Sequence, residues 1–180
     1  MSEINSIFVS LTTAGDQWGT DDHVYLGVVG TVGGREFALA VAGYNDFEPG
    51  TSTYTIGSTP LGGNTPDTAE QSLNSLLICL PNVTHVYLRK QGSRSHDGDD
   101  AWQLNGAVVY LMSDDVTRVF VLTGKARLGN EYGHKVWLAE SAHSGDYRDA
   151  RIPIEGIAEC GQSDHVRAAL QNTASMRQET

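Results

Sequence analysis

A chain of 180 residues with 39% hydrophobic content can bury one ordinary core and is too short to promise two domains, so one domain with tails is expected. Its 22 acidic against 12 basic side chains leave a formal charge of -10, which argues against the nucleic-acid binding that Lys and Arg drive by releasing counterions. No apolar run approaches a membrane span, and Met1-Ser2-Glu3-Ile4-Asn5 lacks the basic and hydrophobic regions of a signal peptide. A cytoplasmic or peripheral-membrane location is therefore expected, and secretion is not supported.

In chain order, residues 7–12 are β-rich and end at the Ala14-Gly15-Asp16 turn, which predicts a first strand. The segment Gly15-Asp16-Gln17-Trp18-Gly19-Thr20-Asp21-Asp22-His23 then crowds carboxylates onto a backbone bent by two glycines. Two readings fit it. It is either an oxygen-rich site for a hard cation such as calcium, or a solvated turn built from ordinary turn residues.

Residues 24–29 form an apolar strand, Gly33-Gly34 reads as a hairpin turn, and residues 35–41 continue extended. Gly43-Tyr44-Asn45-Asp46-Phe47-Glu48-Pro49-Gly50 is a second oxygen-rich loop, followed by a Thr-rich strand over 51–56. Proline and glycine interrupt residues 57–75, which read as a surface connection. A strand over 83–90 leads to a third polar loop that ends in Asp99-Asp100.

Residues 101–104 lead into a tight turn at Asn105-Gly106 and a strand over 107–111, with a further strand over 117–122 and a final short strand or corner over 134–139. Beyond Gly145 the alternation stops, and only residues 164–178 have helix-forming composition. Cys79 lies in Leu76-Leu77-Ile78-Cys79-Leu80 and Cys160 in a polar tail, so Cys79 is expected as a free buried thiol.

Short strands with turn chemistry between them predict an all-β fold, an antiparallel two-sheet sandwich of about eight strands. The expected organisation is a sandwich over residues 1–146 and a short C-terminal extension over 147–180. In a sandwich, loops separated by an even number of strand crossings emerge at one end, so the three acidic loops can share a rim. Carboxylates packed there would repel, and a divalent cation relieves the repulsion. The competing reading leaves the loops at different ends, merely solvated.

No enzyme is indicated. Gly161-Gln162-Ser163-Asp164-His165 is not a nucleophile elbow, and the six histidines show neither H-E-x-x-H nor zinc-ligand spacing. The glycines of Gly30-Thr31-Val32-Gly33-Gly34 lie between strands rather than at a helix start, so phosphate cradling is unsupported.

Four blocks in order carry a family resemblance. These are Gly19-Thr20-Asp21-Asp22-His23-Val24-Tyr25-Leu26, then Asn45-Asp46-Phe47-Glu48-Pro49-Gly50-Thr51-Ser52-Thr53-Tyr54-Thr55-Ile56, then Val86-Tyr87-Leu88-Arg89-Lys90 with Asp100-Ala101-Trp102, and finally Trp137-Leu138-Ala139-Glu140 with Gly145-Asp146. Together they resemble the PLAT, or lipoxygenase-homology, domain, and in motif they are nearest the calcium-binding C-terminal domain of phospholipase C toxins.

The resemblance implies calcium as cofactor, held by Gly19, Thr20, Asn45, Asp46, Asp100 and the Ala101 carbonyl. Asp16 and Asp21 are further candidates, and only one of Asp21 and Asp22 can face the rim. Two departures stand out. Val41-Ala42-Gly43-Tyr44 lacks an acidic pair that the toxins carry, and Ser93-Arg94-Ser95-His96-Asp97 lacks membrane-dipping aromatics, which leaves Trp18 as the candidate membrane or partner contact. The function implied is a non-enzymatic, calcium-dependent module docking to lipid headgroups or a protein partner. The alternative is a metal-independent structural or assembly subunit.

Overall fold

The computed structural model describes residues 3–15, 17–41, 45–57, 73, 78–91, 101–122 and 124–141. The described strands are β1 (Ser6–Thr13), β2 (His23–Gly30), β3 (Gly33–Ala38), β4 (Gly50–Gly57), β5 (Val83–Gln91), β6 (Trp102–Met112), β7 (Thr117–Val121), β8 (Ala126–Leu128) and β9 (Lys135–Glu140). Every pairing is antiparallel. The order is β3-β2-β5-β9-β7-β6-β1-β4, with β8 added to the start of β6.

Only two residue pairs, Phe120↔Glu140 and Val121↔Ala139, join β7 to β9. At that seam the sheet curls into two facing halves, β3-β2-β5-β9 and β7-β6-β1-β4, which is the sandwich expected from the alternation. Period-two burial explains it: Ile7, Val9 and Leu11 of β1 and Val24, Leu26 and Val28 of β2 point into one core with Val86, Leu88, Val109, Leu111 and Phe120. Arg118 braces the seam, donating to both carboxylate oxygens of Glu140 at 2.7 and 2.6 Å and to the carbonyls of Leu80 and Val83.

Several expectations change in detail. The predicted turn at Asn105-Gly106 is a β-bulge inside the continuous strand β6: Thr12 pairs Gly106 while Thr13 pairs Leu104, leaving Asn105 extra. The extra residue shifts the side-chain phase, so Trp102 and Leu104 before it and Ala107, Val109 and Leu111 after it all face the core. A break in alternation therefore marked a bulge, not a reversal. The β2–β3 turn falls at Thr31-Val32, with Gly33-Gly34 already in β3. The three-residue strand β8 was too short to be read from its sequence.

Cys79 is disulfide-bonded, which corrects the expected free thiol; the sequence holds one other cysteine, Cys160, outside the described residues. Most of the connection over 57–75 and all of the extension over 147–180, with its helix-forming stretch, also lie outside them. Among the described residues no helix is long and apolar enough to cross a membrane.

Alternating strand direction decides where the site sits. β1, β3 and β5 run toward one end and β2, β4 and β6 run back from it, so the ends of β1, β3 and β5 and the starts of β2, β4 and β6 lie together there. The turn over 129–134, between β8 and β9, joins them there.

Candidate functional site: the loop rim

At that end lies an open recess of ≈ 230 Å³ lined by Gln17, Gly19, Thr20, Asp21, Glu48 and Ala101. Each of the three loops contributes to it. The first loop is drawn onto the start of β6, because the Gln103 N–H donates to the Trp18 carbonyl at 3.2 Å and the Ala14 N–H donates to the Gln103 carbonyl at 2.9 Å. Gly19 permits the approach of the second loop, since a Cβ there would stand 3.2 Å from the Phe47 carbonyl oxygen.

The two adjacent aspartates separate as strand geometry requires. Asp22 turns inward and pairs with the Nζ of Lys90, a side chain with no exposed surface, while the Thr20 hydroxyl accepts from the Asp22 N–H at 3.1 Å. Asp21 is exposed and lines the recess. The buried pair holds the loop in the phase that turns Asp21 outward.

The second loop divides its motif differently from a row of ligands. Asp46 is only 8% exposed, and its carboxylate accepts from the Val41 N–H at 2.5 Å and from the Tyr54 hydroxyl at 3.0 Å. Burial, the largest cause, raises its pKa above the ordinary carboxylate value, against the lowering effect of those two hydrogen bonds.

Phe47 takes a left-handed φ of 61°. That conformation is costly for an aromatic residue and is held by burial of the ring against Tyr54 at 5.7 Å and Trp102 at 5.5 Å. Trp102 in turn donates to the Thr13 hydroxyl at 3.0 Å. Asp46 and Phe47 thus anchor the loop, and the following residue, Glu48, presents the carboxylate to the recess.

Of the residues expected to form the site, Gly19, Thr20, Asp21 and Ala101 meet in the recess. Asn45 is exposed and is not part of its lining, while Asp16 and Asp100 fall outside the described residues. Gln17 and Glu48 were missed. Glu48 had a signal in its place within the Asn45-Asp46-Phe47-Glu48 run, beside the expected Asp46, which does not line the recess. Among the described residues, no three His, Cys, Asp or Glu side chains group closely enough to hold a metal by themselves.

Trp18 is half-buried at the flank of the recess, under the Arg127 guanidinium at 4.3 Å from its ring. Arg127 also lies 5.5 Å from the ring of Tyr132, which is 47% exposed, and donates to the Gln103 side-chain carbonyl at 2.8 Å. A cation and two aromatic rings therefore stand beside two carboxylates.

No family model and no curated protein match the sequence. Among solved structures, the alpha toxin of Clostridium absonum matches over 77% of this chain at 20% identity with a TM-score of 0.53. The chain has the PLAT-like sandwich fold. Clostridium perfringens alpha-toxin from an avian strain matches over 75% at 15% identity with a TM-score of 0.50. Coral 8R-lipoxygenase, a structure described in terms of calcium activation through a C2-like domain, matches over 76% at 19% identity with a TM-score of 0.47. The PLAT-like chain spans only 32% and 31% of the two toxins and 17% of the lipoxygenase.

Proposed function

We propose that this PLAT-like chain is a non-enzymatic binding module whose rim takes up calcium and docks to a membrane surface. The observation that carries the reading is the recess into which Gln17, Gly19, Thr20 and Asp21 of the first loop, Glu48 of the second and Ala101 of the third all open. Its donor set is carboxylate, amide and backbone oxygen with no sulfur or imidazole, which suits a hard cation and not zinc. Asp21 and Glu48 would supply the charge, and Gln17, Gly19, Thr20 and Ala101 would supply neutral oxygens.

Asp21 and Glu48 would hold calcium here, and the positive charge it would supply would offset the repulsive field that a chain of charge -10 presents to lipid phosphate. Trp18 and Tyr132 fit the interfacial depth preferred by aromatic side chains, and Arg127 fits a phosphate beside them.

The test is calcium titration by calorimetry together with co-sedimentation on phosphatidylserine vesicles, using wild type, Asp21→Asn and Glu48→Gln. Calcium-dependent pelleting that either variant weakens by about tenfold or more supports the reading. A protein that neither binds calcium nor pellets removes it. A metal-independent structural subunit is the second reading, favoured by the internal hydrogen bonds of Asp46. It expects both rim variants to leave binding and assembly unchanged.

A further inference from the structure

The outer face of the β3-β2-β5-β9 half carries a second feature that the rim does not use. In the register, Glu36, Gly27, Tyr87 and Trp137 line up across the four strands, and Ala38, Tyr25, Arg89 and Lys135 form the next row. Gly27 has no side chain to separate the outer residues, and a Cβ there would collide with the Tyr87 ring. The ring lies flat across that gap and its hydroxyl donates to Glu36 at 2.8 Å.

Glu36 is fully committed, because Arg89 also grips it through two nitrogens at 2.7 and 2.6 Å and these bonds lower its pKa. Lys135 makes no close ion pair with a carboxylate among the described residues: its Nζ lies 4.1 Å from the Tyr87 ring centre and 5.4 Å from that of Trp137, and at longer range its charge helps to lower the Glu36 pKa. Trp137 is the most exposed large hydrophobic side chain among the described residues, at 55%, and His85 and Tyr87 stand edge-on to it at 5.4 and 5.0 Å.

We infer that this face binds a glycan carrying uronic acid, with a pyranose ring stacked on Trp137 and its carboxylate on Lys135. An exposed indole on the outer sheet face presents a π surface that the C–H face of a pyranose covers, and edge-on neighbours hold the ring in place. The carboxylate of a glucuronate chair is equatorial, so a sugar lying on the indole projects it past the ring edge, within reach of the Lys135 ammonium 5.4 Å from the ring centre.

Charge narrows the choice. A local cation in a chain of charge -10 accommodates an isolated carboxylate and repels a densely sulfated or phosphorylated polymer. An acidic peptide pairs most readily with a sheet edge, through its backbone, and this is a sheet face. The strands run toward the rim, so the platform flanks the rim, and its binding does not require calcium.

Calorimetry of the full chain in chelator, with a hyaluronan hexasaccharide as probe, tests the inference. Chitohexaose, a heparin hexasaccharide and hexaglutamate serve as neutral, densely sulfated and peptide comparisons. The expected result is binding of the hyaluronan fragment, weakened about tenfold or more by Trp137→Ala, with Lys135→Gln erasing the preference over chitohexaose. Both side chains are exposed, and matching thermal unfolding of the variants checks that their folds are intact. Absence of binding, binding unaffected by Trp137→Ala in a folded protein, or equal or tighter binding of heparin or hexaglutamate would overturn it.

Discussion

Replacing Asp46 by Ala distinguishes a carboxylate that latches the second loop from one that ligates a cation. The change removes the acceptors for the Val41 N–H and the Tyr54 hydroxyl in a place that water barely reaches. A hydrogen bond to a charged acceptor contributes about 1.5–3 kcal/mol, and relief of the buried carboxylate's desolvation offsets part of the two, leaving a net loss of about 3 kcal/mol. In a domain of this size that lowers Tm by about 10 °C.

Asp46→Asn retains an acceptor for Val41 and can donate to the Tyr54 oxygen, so it costs about 1 kcal/mol. Thermal unfolding in chelator and in calcium reads both variants. Asp46→Ala is expected to fall in both buffers, and Asp46→Asn to keep any calcium-induced rise. A wild-type Tm for Asp46→Ala in chelator would refute the latch, as would Asp46→Asn losing the calcium rise while melting normally without it.

The remaining predictions concern pH, the seam, the core and the disulfide. Because burial raises the folded pKa of Asp46 above its ordinary 3.8, its contribution is fully present below that value and is lost as pH rises through the folded pKa. The stability difference between wild type and Asp46→Asn should accordingly shrink from acid toward neutral pH in urea titrations. Glu36 has the opposite sign: Arg89 lowers its pKa, so its contribution is present above the ordinary 4.5 and is lost as pH falls through the folded pKa, a dependence that Glu36→Gln should abolish.

Arg118→Ala leaves Glu140 without its guanidinium partner and removes one donor from each of the Leu80 and Val83 carbonyls, and should cost about 3–5 kcal/mol in urea unfolding, with Arg118→Lys restoring only part because it cannot reproduce the fork. Trp102→Phe removes the donor to Thr13 and opens space beside Phe47, for a loss of about 1–3 kcal/mol by the same assay. Reductant should lower Tm and Cys79→Ser should remove that sensitivity, since cross-links constrain the unfolded chain.

Much of the strand framework was legible because β1, β2, β4 and β5 each carry alternation or β-branched runs bounded by turn residues, which is local information. The bulge in β6 was misread for the same reason. Asn105-Gly106 has the chemistry of a tight turn, and only the pairing with Thr12 and Thr13 shows that the chain continues straight. Of the residues expected at the rim, Gly19, Thr20, Asp21 and Ala101 line one recess. Glu48 escaped because its motif neighbour Asp46 has equally suitable chemistry, and exposure separates the two.

The sequence by itself determined the all-β class, the antiparallel order of turns and strands, and the acidic character of three loops, since these follow from side-chain period and backbone preference over a few residues. Tertiary structure alone decided which carboxylates are available. Lys90 draws Asp22 inward, and Tyr54 with Val41 occupies Asp46, so Asp21 and Glu48 remain at the recess. It also decided that Trp137, Tyr87 and Lys135 share one outer face, because their contacts depend on the register between β5 and β9. Burial and ion pairing are properties of residues far apart in the chain, and no local window contains them.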